Sequence, residues 1–397
     1  MYELLKETRI LDLTTTYLGP YATQFLGDMG ADIIKIEPLT GDVGRSPLPS
    51  RSPDMGAGFI NSNRNKRSIA IDLKQPEGLD VVLKLARTAD ALVHNMRPKA
   101  AQKLGIGYDA IRSLNSGIVY CFSAGFGQGG PYAEEPAYDD IIQAMSGLAS
   151  LNADSSGAPR FLPTIVADKV VGLHLAFAVS SGLVHRHKTG EGCLIEIPMF
   201  ESMVAFLMVE HLAGRSFSPP LGGAGYERLL APNRRPYRTR DGFVAIMPYT
   251  TLQWTRFLDC IGRDDLLAQD WMKDPVQRSA NVNMLYGLIA DAAPGKTTAE
   301  WLVLMDERDI PCGRVNHIDE LFGEPHLAAV GLFEDTNHPS EGAMRSIRSP
   351  FKVSGVARQP DRSAPPLGDS GRAILEEAGF SASEMEALFA RGVVRRP

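Results

Sequence analysis

An excess of positive charge, paired cysteines and a phosphate-binding lysine loop are all missing from this chain of 397 residues. With a formal net charge of −6, it offers no broad electropositive field to a polyanion, so no nucleic-acid partner is expected, although a local basic cluster can still hold a few phosphates. Its four cysteines, Cys121, Cys193, Cys260 and Cys312, lie far apart. Without a Cys-X-X-Cys pair or close repeated spacing, neither a disulfide framework nor a thiolate metal site is expected, and no metal is assigned. The opening stretch Met1–Glu7 carries acids and no apolar run of signal length, and no run of about 20 apolar residues stands out further on. Residence in the cytoplasm, without a membrane partner, is the expectation. The glycine-rich Gly125-Phe-Gly-Gln-Gly-Gly-Pro131 has no Gly-Lys-Ser/Thr and does not match the dinucleotide fingerprint before a helix. ATP hydrolysis and NAD chemistry thereby lose their usual sequence support.

What is present suits a large folded core, since 44% of residues are hydrophobic and 22% charged, and the length accommodates two to three domain-sized units. Short apolar stretches at Thr8–Leu13, Ala31–Ile36, Ser68–Leu73, Ala91–His94 and Ile118–Ser123 alternate with segments of helical spacing at Tyr21–Met29, Gly78–Arg87 and Tyr108–Leu114. Such alternation predicts an α/β fold with a mostly parallel sheet covered on both faces. Helical spacing continues over Tyr138–Leu151, Ala167–His185 and Phe200–Leu212, with a strand at Cys193–Pro198 between them. These residues form an expected large domain over 1–215, built on that sheet. A Pro/Gly-rich passage, Ser216–Gly225, then leads into a smaller α/β domain over 226–330, with a strand at Gly242–Met247 and helices at Leu252–Ile261, Val282–Asp291 and Thr298–Arg308. The tail, 331–397, returns to strand-like Phe351–Ser354 and a helix over Ser381–Ala390.

Chemistry in such a sheet belongs outside the carboxyl ends of the strands. The loop Glu37–Arg67 is basic, with Arg45, Arg51, Arg64, Lys66 and Arg67, and guanidinium forks suit phosphate oxygens as well as ordinary surface pairing. The glycines around Gly127 and Gly129 leave backbone amides accessible, as an ordinary tight loop also would. Asp168 stands near the start of a long helix of small residues. There a carboxylate either caps exposed amides or acts as a nucleophile that takes an acyl group from a thioester as a mixed anhydride.

In this order the elements resemble the class III CoA-transferase family, the CaiB/BaiF or formyl-CoA transferase-like family. They are Gly19-Pro20; Gly30 to Glu37 with Gly41-Asp42 and Arg45; Asn63 to Ser68 with Asp72 to Lys74; Asn95-Met96-Arg97-Pro98; Leu104-Gly105; Ser123 to Gly127 with Gly129 to Pro131; Tyr138-Asp139; Gly147-Leu148; Asp168; and Thr189 to Gly192. The resemblance runs from Lys6 to about Pro350. It implies a Rossmann-like large domain, a smaller α/β domain and an obligate homodimer of interlocked subunits, with the final segment packing back on the large domain. It further implies CoA transfer from an acyl-CoA to a free carboxylic acid through acyl-aspartyl anhydride and aspartyl-CoA intermediates on Asp168. No tightly bound cofactor follows; coenzyme A and acyl-CoA are substrates. The same resemblance puts Tyr138 beside the thioester, Gly127 and Gly129 at the anionic intermediates, and Arg45, Lys66, Arg67, Asn95, Met96, Arg97 and Ala124 around the CoA nucleotide.

Two departures narrow the expectation. The related α-methylacyl-CoA racemases resemble this pattern but carry Gly-His-Asp where this chain has Ala137-Tyr138-Asp139, so half of an acid/base pair is missing. Formyl-CoA transferases have a polyglycine lid, whereas Ile246–Trp254 has no glycine run. For the acceptor, Tyr226, Arg228, Asn233, Arg234 and Arg235 in the smaller domain suit a second carboxylate, as in succinate or mesaconate. The alternatives to transfer are a racemase-like enzyme and a non-catalytic CoA-binding or assembly protein.

Overall fold

Ile10 and Leu11 are neighbours and both fully buried, yet they belong to different cores, because successive side chains of a strand leave opposite faces of a sheet. Their strand, β1 (Arg9–Leu13), is inner in a parallel sheet with β2 (Asp32–Glu37), β3 (Lys66–Ala70), β4 (Ala91–His94), β5 (Val119–Phe122) and β6 (Cys193–Glu196). The strand order is β3-β2-β1-β4-β5-β6. The structure, a computed structural model, describes residues 1–396. It has a mixed α/β architecture in two compact units: Met1–Leu207 with the described residues from Val330 onward, and Met208–Ala329.

In the first unit, one face of the sheet is covered by α1 (Leu18–Asp28) through Leu18, Ala22 and Leu26, and the opposite face by α2 (Pro76–Ala86) through Val81, Val82 and Leu85. The stretch expected to be helical over Tyr138–Leu151 breaks into α3 (Asp139–Met145) and one further turn over Leu148–Leu151. Gly147 sits between them at φ 92°, a conformation open to glycine but strained for other residues. The long α4 (Val166–Thr189) adds Val171, Leu175 and Val179 to the α1 face. It comes so close to α1 that a Cβ on Gly172 would lie 2.7 Å from the Leu18 carbonyl oxygen. By length and composition α4 is long and apolar enough to cross a membrane, which corrects the reading that no segment reaches that range. Its apolar residues are interrupted by Asp168, Lys169 and His174 and interleaved with small ones, so no continuous run shows. α5 (Met199–His211) follows β6.

The second unit has its own core of Val244, Trp254, Phe257, Tyr286 and Trp301. It contains an antiparallel sheet of β7 (Tyr237–Arg238), β8 (Phe243–Ile246) and β9 (Cys312–Arg314), and helices α6 (Thr251–Cys260), α7 (Pro275–Ala280), α8 (Val282–Ala292) and α9 (Thr298–Glu307). Capping boxes begin two of these: Thr250 with Gln253 opens α6 and Thr297 with Glu300 opens α9. Each satisfies amides that the first turn leaves unpaired.

From Val330 the chain belongs to the first unit again. A hairpin of β10 (Phe333–His338) and β11 (Gly342–Ile347) takes the place of the expected strand at Phe351–Ser354, which forms none. Helices α10 (Gly371–Glu377) and α11 (Ala382–Ala390) add Ile374, Leu375, Leu388 and Phe389 to the α2-side core.

Candidate active site

The chain leaves β1 toward β2 on one side, while β4 pairs with β1 on the other. Two loops therefore diverge at the carboxyl ends of β1 and β4, and a crevice at such a switch point is where open α/β sheets bind ligands. The two loops are tied at their base, since Asn95 Nδ2 donates to the Thr15 carbonyl oxygen and Asn95 Oδ1 accepts the Thr15 amide, both at 3.0 Å. Beyond them opens a cavity of about 390 Å³, walled by Thr15, Thr16, Asn95, Met96, Arg97, Ser123, Ala124, Gly125, Tyr138 and Asp168. Five candidates from separate parts of the sequence thus converge on Asp168: Asn95, Met96, Arg97, Ala124 and Tyr138.

Asp168 is in the first turn of α4. Its amide donates to Asp139 Oδ1 at 3.0 Å, and Asp139 Oδ2 accepts from Gln143 Nε2 at 2.6 Å. Gln143 in turn donates to the Thr164 carbonyl and accepts the Leu162 amide, so α3 braces the segment that leads into α4. Among the described residues no cation lies within ion-pair distance of the Asp168 carboxylate. Burial and, next, the negative charge of Asp139 push Asp168 up to about 7. Near neutral pH it is therefore divided between an acid and a carboxylate that is poorly solvated, and a poorly solvated carboxylate is a stronger nucleophile than one in bulk water. Tyr138 is 74% exposed at the mouth. Arg97, also exposed, holds the Glu134 carbonyl through Nη1 at 2.8 Å.

Several candidates stand elsewhere. Lys66 is wholly buried, its ammonium held by Asp12, Thr23, Asn63 and the Pro20 carbonyl at 2.8–3.0 Å. Burial brings it down to about 8 despite Asp12. Arg45 is 1% exposed and forks onto Glu37, with bonds of 2.6 and 2.7 Å. Arg67 is spent on Asp32 and Glu377. The expectation that these three meet CoA phosphates is corrected: their donors are already taken by the protein's own carboxylates and neighbouring carbonyl and hydroxyl oxygens. Their work is structural. Beside them Lys35 binds Asp42 at 2.8 Å and the Thr14 carbonyl at 2.9 Å, while Asp42 Oδ1 accepts the Thr16 amide. The buried network thereby fixes the β1 loop that walls the cavity.

Gly127 and Gly129 lie off the cavity, whose nearest glycine is Gly125. The Gly127 amide is occupied by Glu201 at 2.9 Å and that of Gln128 by Glu196 at 2.6 Å, so the Gly127 amide, expected to meet an oxyanion, is already bound. His94 is sealed in the sheet, bonded to Tyr120 Oη and the Met96 amide, and burial lowers it to about 4. In the second unit, Tyr226 and Arg228 line a separate cavity of about 400 Å³. Asn233 is instead paired with Asn283, and Arg234 and Arg235 are exposed away from that lining, which corrects the grouping of the five as one pocket.

Thr15 and Thr16 escaped the sequence reading, and Ser123 and Asp139 were noted without a role. The threonines follow the first strand directly, but only the strand order reveals that this loop faces the one after β4.

The profile of CoA-transferase family III matches residues 5–370. A Mus musculus succinyl-CoA:glutarate CoA-transferase is 31% identical, covering 99% of this chain and 90% of its own. A succinate–glutarate CoA-transferase of Agrobacterium fabrum is also 31% identical, over 94% of this chain and 95% of its own. Among solved structures, a CaiB/BaiF family protein from Brucella suis superposes with a TM-score of 0.79 at 27% identity, covering 95% of this chain and 100% of the other.

Proposed function

The chain belongs to CoA-transferase family III and is a CoA-transferring enzyme, and on that premise we propose that Asp168 is the residue on which the transfer takes place. Its carboxylate attacks the thioester carbonyl of the donor acyl-CoA; the C–S bond breaks, leaving an acyl-aspartyl anhydride and CoA thiolate. The thiolate attacks the aspartyl carbonyl of that anhydride, releasing the donor acid as carboxylate and leaving an aspartyl-CoA thioester. The acceptor carboxylate then attacks this thioester, expelling thiolate and forming a second anhydride. Attack of the thiolate on the acceptor's carbonyl yields the new acyl-CoA and restores the Asp168 carboxylate. Each step exchanges acyl groups of comparable activation, so the sequence needs no external energy source.

The observation that carries this reading is an ionisable carboxylate, free of any ion pair among the described residues, in the wall of a 390 Å³ cavity at the sheet's switch point. Asn95, Arg97 and Tyr138 line the same cavity; the proposal gives Asn95 and Arg97 the nucleotide portion of CoA and Tyr138 a hydrogen bond to the thioester oxygen. Acceptors are proposed to be dicarboxylic acids, a reading supported by the succinate and glutarate in the relatives' names. An obligate, interlocked homodimer is part of the same proposal. Its support is the apolar face that α4 leaves uncovered, with Leu173 47%, Phe177 75% and Val184 54% exposed, a pattern that calls for a covering partner.

Incubation with succinyl-CoA and isotope-labelled mono- and dicarboxylates, followed by mass spectrometry of CoA esters, tests the reaction. Label entering the thioester is the expected result. Exchange of the α-proton without exchange of acid would point to a racemase instead.

A further inference from the structure

The cavity of the second unit contains a charge arrangement that transfer on Asp168 does not use. Arg278, only 7% exposed, lines it from α7 and spends Nη1 on Thr251 Oγ1 at 2.9 Å and the Met272 carbonyl at 2.8 Å. Arg228 lines the same cavity; its Nε donates to Tyr286 Oη at 2.9 Å and its guanidinium lies 4.7 Å from the centre of the Tyr249 ring. Among the described residues neither forms an ion pair. The acid that Arg278 feels is Asp274, which is engaged in capping α7 through the Val276 and Gln277 amides. Burial accordingly pulls Arg278 below the usual guanidinium range. Two cations facing one partly enclosed space without counter-charges are costly unless an anion joins them. Thr251, which accepts from Arg278, opens α6, whose positive end also faces the cavity.

We propose that this cavity is a binding site for a small aliphatic dicarboxylate, its two carboxylates neutralising Arg228 and Arg278 while its short chain lies along the aromatic wall of Tyr249 and Trp254. Two guanidiniums match two carboxylates, and about 400 Å³ suits a chain of a few carbons. The site is complete within the second unit and stands independently of the role given to Asp168.

Calorimetric titration of the full-length protein with glutarate, and with valerate as the equally long monocarboxylate, tests it. Saturable glutarate binding is expected, with valerate weaker by about tenfold or more. Arg228→Met and Arg278→Met are each expected to weaken glutarate by about tenfold or more, whereas Asp168→Asn leaves this binding unchanged. Should Arg278→Met fail to fold, Arg228→Met, at a half-buried position, decides the matter. Absence of saturable binding, equal binding of the two acids, or wild-type affinity in Arg228→Met overturns the proposal. Loss of all binding in Asp168→Asn would overturn it as well, by assigning the acid to the other cavity.

Discussion

Asp139 accepts the backbone amide of Asp168 at 3.0 Å, so one acid both positions the proposed nucleophile and raises the energy of its charged form. The two effects separate by substitution. Asp139→Asn keeps an oxygen for the amide but removes the charge, and the acid limb of kcat/KM against pH moves below the wild-type position near 7. It does not return to the ordinary carboxylate range, because burial is the larger cause. Asp139→Ala removes the acceptor too, and kcat is expected to fall about ten- to hundredfold at pH 8 through misplacement of α4's first turn.

Stability carries a matching signature. A carboxylate raised to about 7 in the folded state binds its proton more tightly than in the unfolded chain. Its contribution is whole below pH 4 and is lost as pH rises through 7. Asp168→Asn escapes that loss. The variant is expected to be more stable than wild type by about 1–3 kcal/mol at pH 8, with the gap closing toward pH 4, as measured by urea unfolding across pH.

The basic residues divide into two groups with opposite phenotypes. Lys66→Met leaves Asp12 buried without its partner and is expected to cost about 3–5 kcal/mol of stability. Arg97→Met, at an exposed position on the cavity, leaves the melting temperature nearly unchanged and raises KM for acyl-CoA about tenfold. Thermal unfolding beside steady-state kinetics distinguishes them, and a Lys66 variant that melts normally but binds acyl-CoA poorly would reverse the assignment.

Close approach of α4 to α1 depends on Gly172, where a side chain meets the Leu18 backbone oxygen. Gly172→Val is expected to cost about 2–3 kcal/mol and to lower kcat, since Asp168 lies one turn away on the same helix. Unfolding and kcat measured on one preparation check both effects.

These contrasts also mark what the sequence could disclose. Alternating strand and helix patterns revealed the parallel sheet, and Asp168 stood out at the head of a small-residue helix. The convergence of Asn95, Met96, Arg97, Ala124 and Tyr138 upon it came from the family resemblance, since those residues belong to three different loops. Hidden from the linear pattern was the destination of each basic side chain. Arg45, Lys66 and Arg67 look alike in a polar loop, but carboxylates on β1, β2 and α10 claim them first, Asp12, Asp32 and Glu377 from far along the chain. The β10–β11 hairpin lacks apolar alternation, with Glu334, Asp335 and Asn337 on one strand, so nothing marked it in advance. Arg278 likewise became visible only when folding brought α7 beside Tyr249 and Arg228 in one cavity.

The central claim is that an oxygen of Asp168 becomes covalently joined to the transferred acyl group. Protein mixed with succinyl-CoA, quenched with hydroxylamine and mapped by tandem mass spectrometry tests it most directly. The account predicts a hydroxamate on the peptide at Asp168, lost in Asp168→Asn; a hydroxamate on any other carboxylate, with residue 168 unmodified during turnover, would contradict it.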